Sequence, residues 1–389
     1  MSRDLDLDFP ALADLRLKAK KRIPHFAFEY LDSSTGRESG ARTNRARLDE
    51  VQFMPAILNG EQTPQTSVHF MGRDYDYPFG IAPIGMSGLI WPKAEIKLAT
   101  AASAARIPYC LSTVAAATPE EVGPAAGNMG WFQLYPARDE VIWRDILQRA
   151  KAAGFDKLVV TVDVPGESRR ERQRRAHLTT PLKFNAAMIA SMMMRPTWSL
   201  GMAVAGSPKM KLAESYIKEA DRTEDRFKHA GRLIRGFPDW DYIAAIRSAW
   251  KGHLLIKGVM RPDDAVRLVN MGIDGIWVSN HSARQFEAGP AAIDQLPKVR
   301  AAIGNDVPII FDSGVESGLD ILRAVALGAN MVCLGRGFHY ALAALGPVGI
   351  SHLIHILSAD MIANMKQIGA ERMDQLASQL IKPHQRAGN

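Results

Sequence analysis

The sequence predicts an α/β fold, a (β/α)8 TIM barrel with an N-terminal helical cap and a long insertion after strand 4. Three observations lead there. Eight short apolar runs alternate with helical stretches from residue 79 onward. The runs are nearly continuous in apolar residues, as in parallel strands covered on both faces. Several of the helical stretches stop at a Gly just before the next run. An open doubly wound sheet is the structural alternative.

In chain order, residues 1–78 lack the repeat and read as the cap, with helices near 11–22 and 25–32. The barrel then occupies 79–389. Its strands are FGIAPI (79–84), IPYCLST (107–113), GWFQLY (130–135), KLVVTVD (157–163), HLLIKG (253–258), GIWVSN (275–280), VPIIFDS (307–313) and NMVCLG (330–335). The rhythm breaks once, at an insertion spanning 166–250 that holds SRRERQRR (168–175) and NAAMIASMMMRPTWSLGMAVAG (185–206). An insertion of this length reads as a lid, a binding element or a disordered segment.

The 389 residues are 47% apolar, enough for a large core, and carry a net charge of +7, which favours an anionic partner. Cys110 and Cys333 both fall inside strand runs, so buried thiols and a reducing compartment are expected. Acidic residues in MSRDLDLDFP stand where a signal peptide needs an apolar core. No apolar run reaches the roughly 20 residues of a membrane span. These features place the chain in the cytoplasm. The basic run reads as a solvated face, not a nucleic-acid contact, because no nucleic-acid-binding signature accompanies it.

Chemistry in such a barrel sits at the carboxyl ends of the strands. Those ends carry Gln133 and Tyr135, Thr161 and Asp163, Lys257, His281, Asp312 and Arg336. Burying so many polar and charged groups at one mouth is costly unless they meet each other or a ligand. His281 suits proton abstraction near neutrality, and Asp163 is placed to raise its proton affinity. Arg284 offers a planar fork for a carboxylate. Lys257 can neutralise an anion on a bound cofactor. DSG (312–314) and GRG (335–337) supply small residues for a phosphate after strands 7 and 8. A barrel of the inosine-phosphate dehydrogenase kind would need a nucleophilic Cys in a mouth loop, and both cysteines lie in strands.

The motifs FEY (28–30), IAPIGMSG (81–88), LST (111–113), FQLY (132–135), TVDVP (161–165), RRE (169–171), IKG (256–258), SNHSARQ (279–285), DSG and LGR (334–336) keep a characteristic order and spacing. On them the chain resembles the FMN-dependent 2-hydroxy acid dehydrogenases and oxidases from about Pro24 to about Gly346. GLIWPK (88–93) and RPTWSL (195–200) resemble the mandelate dehydrogenase branch, beside flavin-type lactate dehydrogenase.

The resemblance implies FMN as cofactor and oxidation of an L-2-hydroxy acid to the 2-keto acid. It implies His281 as base with Asp163 as its partner, Arg284 and Arg170 as a carboxylate clamp, and Tyr30 and Tyr135 as substrate hydrogen-bonding groups. Lys257 would stand beside the flavin N1–C2=O edge. Ser112, Gln133, Thr161 and the backbone of Ala82, Pro83, Ile84 and Gly85 would contact the flavin ring, with Ser279 also among the cofactor residues. Asp312 would contact the ribityl chain, and Ser313, Gly314, Gly335 and Arg336 the phosphate. The apolar segment 185–206, with Trp198 as an interfacial residue and clustered Arg nearby, is expected to lie on an anionic membrane surface. The resemblance implies the same attachment, with quinone as electron acceptor and a homotetramer, which would put the chain on the inner face of the cell membrane. A soluble oxidase that reduces O2 to H2O2 is the alternative.

Four positions depart from the family pattern. Ser282 and Ala283 follow His281 where Gly-Gly or Gly-Ala is usual, Glu316 stands where an Arg is usual, and Val114 replaces an aromatic residue. Val114 and Gly85 together are expected to leave room for a bulky substrate such as mandelate.

Overall fold

The computed structural model describes residues 4–178, 185–217 and 236–381. Eight parallel strands close into a barrel: β3 (Phe79–Ile81), β4 (Tyr109–Ser112), β5 (Gly130–Leu134), β6 (Lys157–Thr161), β7 (His253–Val259), β8 (Gly275–Val278), β9 (Ile309–Phe311) and β10 (Met331–Leu334), with β10 pairing back onto β3. Each of the eight predicted runs overlaps one of these strands. The cap helices Leu12–Arg22 and His25–Asp32 form where expected. A further cap helix follows at Ser39–Asp49. An antiparallel hairpin, β1 (Val68–Phe70) and β2 (Arg73–Tyr75), adds Phe70 and Tyr75 to the cluster of side chains that fills the barrel.

The two-residue period of a strand divides the barrel. One set of side chains, among them Leu111, Phe132, Leu158, Ile256, Ile276 and Phe311, belongs to the large core shared with the helices. The other set, Cys110, Trp131, Val159, Leu255, Trp277, Ile310 and Cys333, fills the interior. Both cysteines are buried free thiols. Two residues further along each strand, the same inward direction gives Ser112, Gln133, Thr161, Lys257, Ser279 and Asp312, all buried. A polar layer therefore sits on an apolar plug because the strands alternate and then end.

Gly258 adopts φ +103° beside a register irregularity between Lys257 and Val259. A Cβ at this position would stand 2.5 Å from Asp163 Cβ and 2.6 Å from its Cγ, so glycine lets the β6 and β7 ends close together.

Two expectations are corrected. Trp198 is not an interfacial residue. It is 3% exposed, donates its Nε1–H to the Ile90 carbonyl at 3.1 Å and meets Phe26 edge to face at 5.8 Å. Second, the helix Pro347–Gln367 is long and apolar enough to cross a membrane, although no such span was expected. Ile350, Leu353, Leu357, Met361 and Met365 are buried in the main core, so this helix packs as a core element.

Gly258→Ala is expected to lower stability by about 1–3 kcal/mol in chemical unfolding, combining steric overlap with a left-handed backbone.

Candidate active site

The polar layer forms the floor of a cavity of about 440 Å3. Its anchor is Asp312. Oδ1 accepts from Ser279 Oγ at 2.5 Å and Ser313 Oγ at 2.8 Å. Oδ2 accepts from Trp277 Nε1 at 3.0 Å and lies 3.0 Å from Lys257 Nζ. Both oxygens are thus engaged within the protein, and Asp312, on the cavity wall, holds Lys257. Lys257 also donates to Ser279 Oγ at 2.8 Å. Burial acts to lower the Lys257 pKa, but Asp312 and Asp163 outweigh it and keep the ammonium charged.

Ser279 and Ser313 pass this order to the next loop. The backbone N–H of His281 donates to Ser279 Oγ, and those of Asn280 and Ser282 donate to Ser313 Oγ. His281, Ser282 and Ala283 adopt φ +55°, +52° and +54° in succession. Non-glycine residues pay for that conformation, and the hydrogen bonds hold it.

His281 Nδ1 lies 3.1 Å from Asp163 Oδ1. An ionised carboxylate only accepts, so Nδ1 carries the proton and Nε2 is left as the base. Burial depresses the His281 pKa, and Asp163 offsets this only in part, so the imidazole is neutral at pH 7. Burial works to raise the Asp163 pKa, yet His281 and Lys257 bring it below its ordinary value.

Arg170, Arg284 and Arg336 are three of the seven arginines that line the same cavity. Among the described residues, none of these three has a carboxylate partner. Arg284 donates from Nη1 to the carbonyls of Leu31 and Ser33 and from Nη2 to that of Tyr30, at 2.7–2.8 Å. These carbonyls lie at the C-terminal end of the helix His25–Asp32, where the helix dipole favours a cation. Arg170 Nε donates to Ser168 Oγ, whose hydroxyl donates to the Arg284 carbonyl. Arg336 Nη1 donates to the Asp32 carbonyl at 3.2 Å. Burial, then Arg170 and Arg336, push Arg284 down to about 9, the mark of a site short of negative charge.

Asp32, by contrast, is saturated. It takes Arg16, Arg172 and the Tyr340 hydroxyl, and these hold it well below the usual carboxylate range against the effect of burial. Arg172 also pairs with Glu29 and Glu38, tying the short helix Glu171–Arg175 to the cap.

The remaining expected residues converge on the cavity or its wall. Tyr30 donates its hydroxyl to the Gly85 carbonyl at 2.9 Å. Burial, with Asp163 next, pushes Tyr135 up to about 12, so its phenol stays protonated. Ala82, Pro83, Ile84, Gly85, Gly314 and Gly335 line the cavity. Ser112 donates to Gln133 Oε1 at 2.9 Å. Gln133 Nε2 and Thr161 Oγ1 are buried with no hydrogen-bond partner among the described residues. Such groups await an acceptor or donor from a ligand. Val114 corrects the expectation of spare room at Gly85, because its Cγ2 already fills the place of a Gly85 Cβ.

Sequence reasoning missed residues that come from the cap and the insertion. Ala41, Arg42, Arg45 and Met210 also line the cavity. No spacing in the chain ties them to the strand ends, and only the fold-back of the cap and insertion does.

This is the site of a flavin-dependent oxidoreductase barrel. Buried, unpaired Gln133 and Thr161 groups fit a heteroaromatic ring edge, Lys257 fits its anionic side, and Arg336 with the adjacent glycines fits a phosphate. Residues 19–383 match the FMN-dependent dehydrogenase family, and the chain belongs to it. It is similar to L-lactate dehydrogenase of Alcaligenes faecalis, 35% identical over 371 residues, covering 95% of this chain and 97% of that protein. The L-lactate dehydrogenase of Pseudomonas syringae pv. syringae (strain B728a) is 34% identical over 95% of this chain and 98% of its own length. Among solved structures, a monotopic membrane protein, (S)-mandelate dehydrogenase, superposes with TM-score 0.89 at 30% identity, covering 95% of this chain and 98% of that one. A mandelate oxidase variant superposes at 0.78 and 29% identity, over 95% of this chain and 97% of its own. The chain is an FMN-dependent 2-hydroxy acid dehydrogenase.

Ser282→Gly is expected to stabilise the fold by about 0.5–1 kcal/mol, read from the urea midpoint, because glycine adopts the left-handed backbone without the side-chain penalty.

Proposed function

We propose that the chain oxidises an L-2-hydroxy acid with a mandelate- or lactate-like side chain to the 2-keto acid, with His281 as the base. One observation carries this reading: the guanidiniums of Arg170, Arg284 and Arg336, without carboxylate partners among the described residues, share a cavity with a neutral, Asp163-oriented imidazole. Arg170 and Arg284 bind the substrate carboxylate, while Tyr30 and Tyr135 orient the hydroxyl. Nε2 of His281 takes a proton released in the oxidation, and Asp163 stabilises the resulting imidazolium. Bound FMN supplies the acceptor for the two electrons. The buried Lys257 ammonium, fixed by Asp312, compensates negative charge on that side of the floor.

Electrons pass onward to quinone at a membrane surface, and the protein assembles as a homotetramer on the inner face of the cell membrane. The insertion supports the membrane part. Its helices Ala186–Met193 and Pro196–Ala205, with the turn between them, expose Met193, Met194, Leu200 and Val204, while Trp198 and Met188 root them on the barrel. Exposed apolar side chains on anchored helices, with Arg195 between them, suit an anionic lipid interface. Oxygen reduction to peroxide by a soluble enzyme is the second reading, favoured by the likeness to a mandelate oxidase.

The direct test is anaerobic addition of L-lactate and L-mandelate to the purified flavoprotein, following the oxidised flavin band. His281→Gln is expected to keep the flavin and to slow its reduction by at least about 10²-fold. Reduction at the wild-type rate would remove the base assignment.

The rate of flavin reduction has a predicted pH dependence. The base acts only when neutral, and burial depresses its pKa. Activity is therefore retained as pH falls through neutrality and is lost only below the ordinary value of about 6.5. Asp163→Asn removes a contribution that raises this pKa. The acid limb moves to still lower pH, and the maximal rate falls because the base is weaker.

Leu200→Asp with Val204→Asp is expected to abolish co-sedimentation with anionic liposomes at low salt while leaving flavin reduction intact. A full-length wild-type chain that stays in the supernatant and makes peroxide as fast as it consumes substrate would replace the dehydrogenase reading with the oxidase one.

A further inference from the structure

The end of the cavity near Gly314 and Arg336 holds a charge pattern that strand ends alone do not explain. The loop after β9 presents an acid, Glu316, whose carboxylate has no partner among the described residues. Its backbone N–H is engaged by Asp320 Oδ2 at 2.9 Å. An anion bound beside Gly314 and Arg336 would sit next to that carboxylate, which requires a second cation to offset it.

The cap helix Ser39–Asp49 lies directly on this loop. A Cβ at Gly314 would stand 3.2 Å from both Asn44 Cβ and Leu48 Cδ1. Arg45 donates to the Gly314 carbonyl at 2.9 Å, but its guanidinium is already paired with Asp320 and Asp49. Arg16, also on the cavity wall, is paired with Asp32. Arg42, three residues before Arg45, differs. It lines the cavity at its exposed rim, donates only to the Arg37 carbonyl at 2.8 Å, and has no carboxylate partner among the described residues.

We propose that Arg42 of the cap helix is a cofactor-phosphate residue, supplying from the cap the cation that the β9 loop lacks at Glu316. Phosphate is then held between Arg336 on the barrel side and Arg42 on the cap side. The backbone N–H groups at the start of the helix Arg336–Leu345 complete the cradle. The cap thereby closes over the cofactor by charge as well as by packing. This inference rests on the phosphate lying at the Gly314–Arg336 end, and the test separates the two claims.

The test compares two flavins on the full-length apoprotein, FMN and riboflavin, each titrated by quenching of flavin fluorescence. They share the ring and ribityl chain and differ in the phosphate. Arg42→Gln is expected to weaken FMN binding by about tenfold or more and to leave riboflavin binding unchanged, and Arg42→Lys to recover most of the loss because a cation remains. Glu316→Gln should tighten FMN and not riboflavin. Arg336→Gln serves as the reference, with a loss confined to FMN. If Arg336→Gln loses FMN selectively while Arg42→Gln binds FMN as the wild type does, the role of Arg42 is overturned. An equal loss of both flavins in Arg42→Gln also overturns it, since that marks a structural defect. If Arg336→Gln leaves the preference for FMN over riboflavin untouched, the phosphate lies elsewhere and the proposal falls with its premise.

Discussion

The buried Lys257–Asp312 pair organises the mouth of the barrel. An ammonium and a carboxylate below a cavity are costly to desolvate, and they persist because they pair with each other and share hydrogen bonds with Ser279 and Trp277. The pair joins the ends of β7 and β9 and, through Ser279, the end of β8. From Ser279 and Ser313 the same network grips the backbone around His281 and holds three successive residues in a left-handed conformation. The base is thus aimed by a chain of contacts that begins at an ion pair on the floor. Removing either charge would strand the other in an apolar interior and release that loop.

A second constraint is electrostatic. The cavity concentrates guanidiniums faster than it supplies carboxylates, and the depressed Arg284 shows the strain. The cap relieves part of it with backbone carbonyls instead of acids. Because Arg284 is bonded to the carbonyls of Tyr30, Leu31 and Ser33, the arginine and the tyrosine that face the cavity are positioned by one contact. The remaining positive charge is left for anionic ligands. Asp32, buried on the cavity wall and saturated by Arg16, Arg172 and Tyr340, fastens the cap without neutralising the site.

The insertion has two unlike sides. Met188 and Trp198 root it on the cap and the β3 loop, and Met210 reaches the cavity. Its other side exposes Leu200 and Val204 to solvent at 68% and 87%. Apolar composition alone did not distinguish these roles. Trp198 looks interfacial in the sequence and is an anchor in the fold, because an indole N–H can be buried once a carbonyl such as that of Ile90 accepts it.

Sequence by itself determined the barrel and its polar layer. Both follow from local rules: continuous apolar runs imply strands covered on both faces, and a two-residue period carries Gln133, Thr161 and Lys257 inward above Trp131, Val159 and Leu255. The pairing of His281 with Asp163, 118 residues apart, was legible because both sit at strand ends that closure must bring together. Tertiary structure decided what the cap and insertion do. Asp312 proved to be the anchor of Lys257, Arg284 the clasp of the cap helix, and Arg42 a rim cation, none of which local spacing encodes. Those partners are chosen by where the cap helices and the insertion fold back over the mouth. That depends on packing between segments hundreds of residues apart, to which a strand's periodicity is blind.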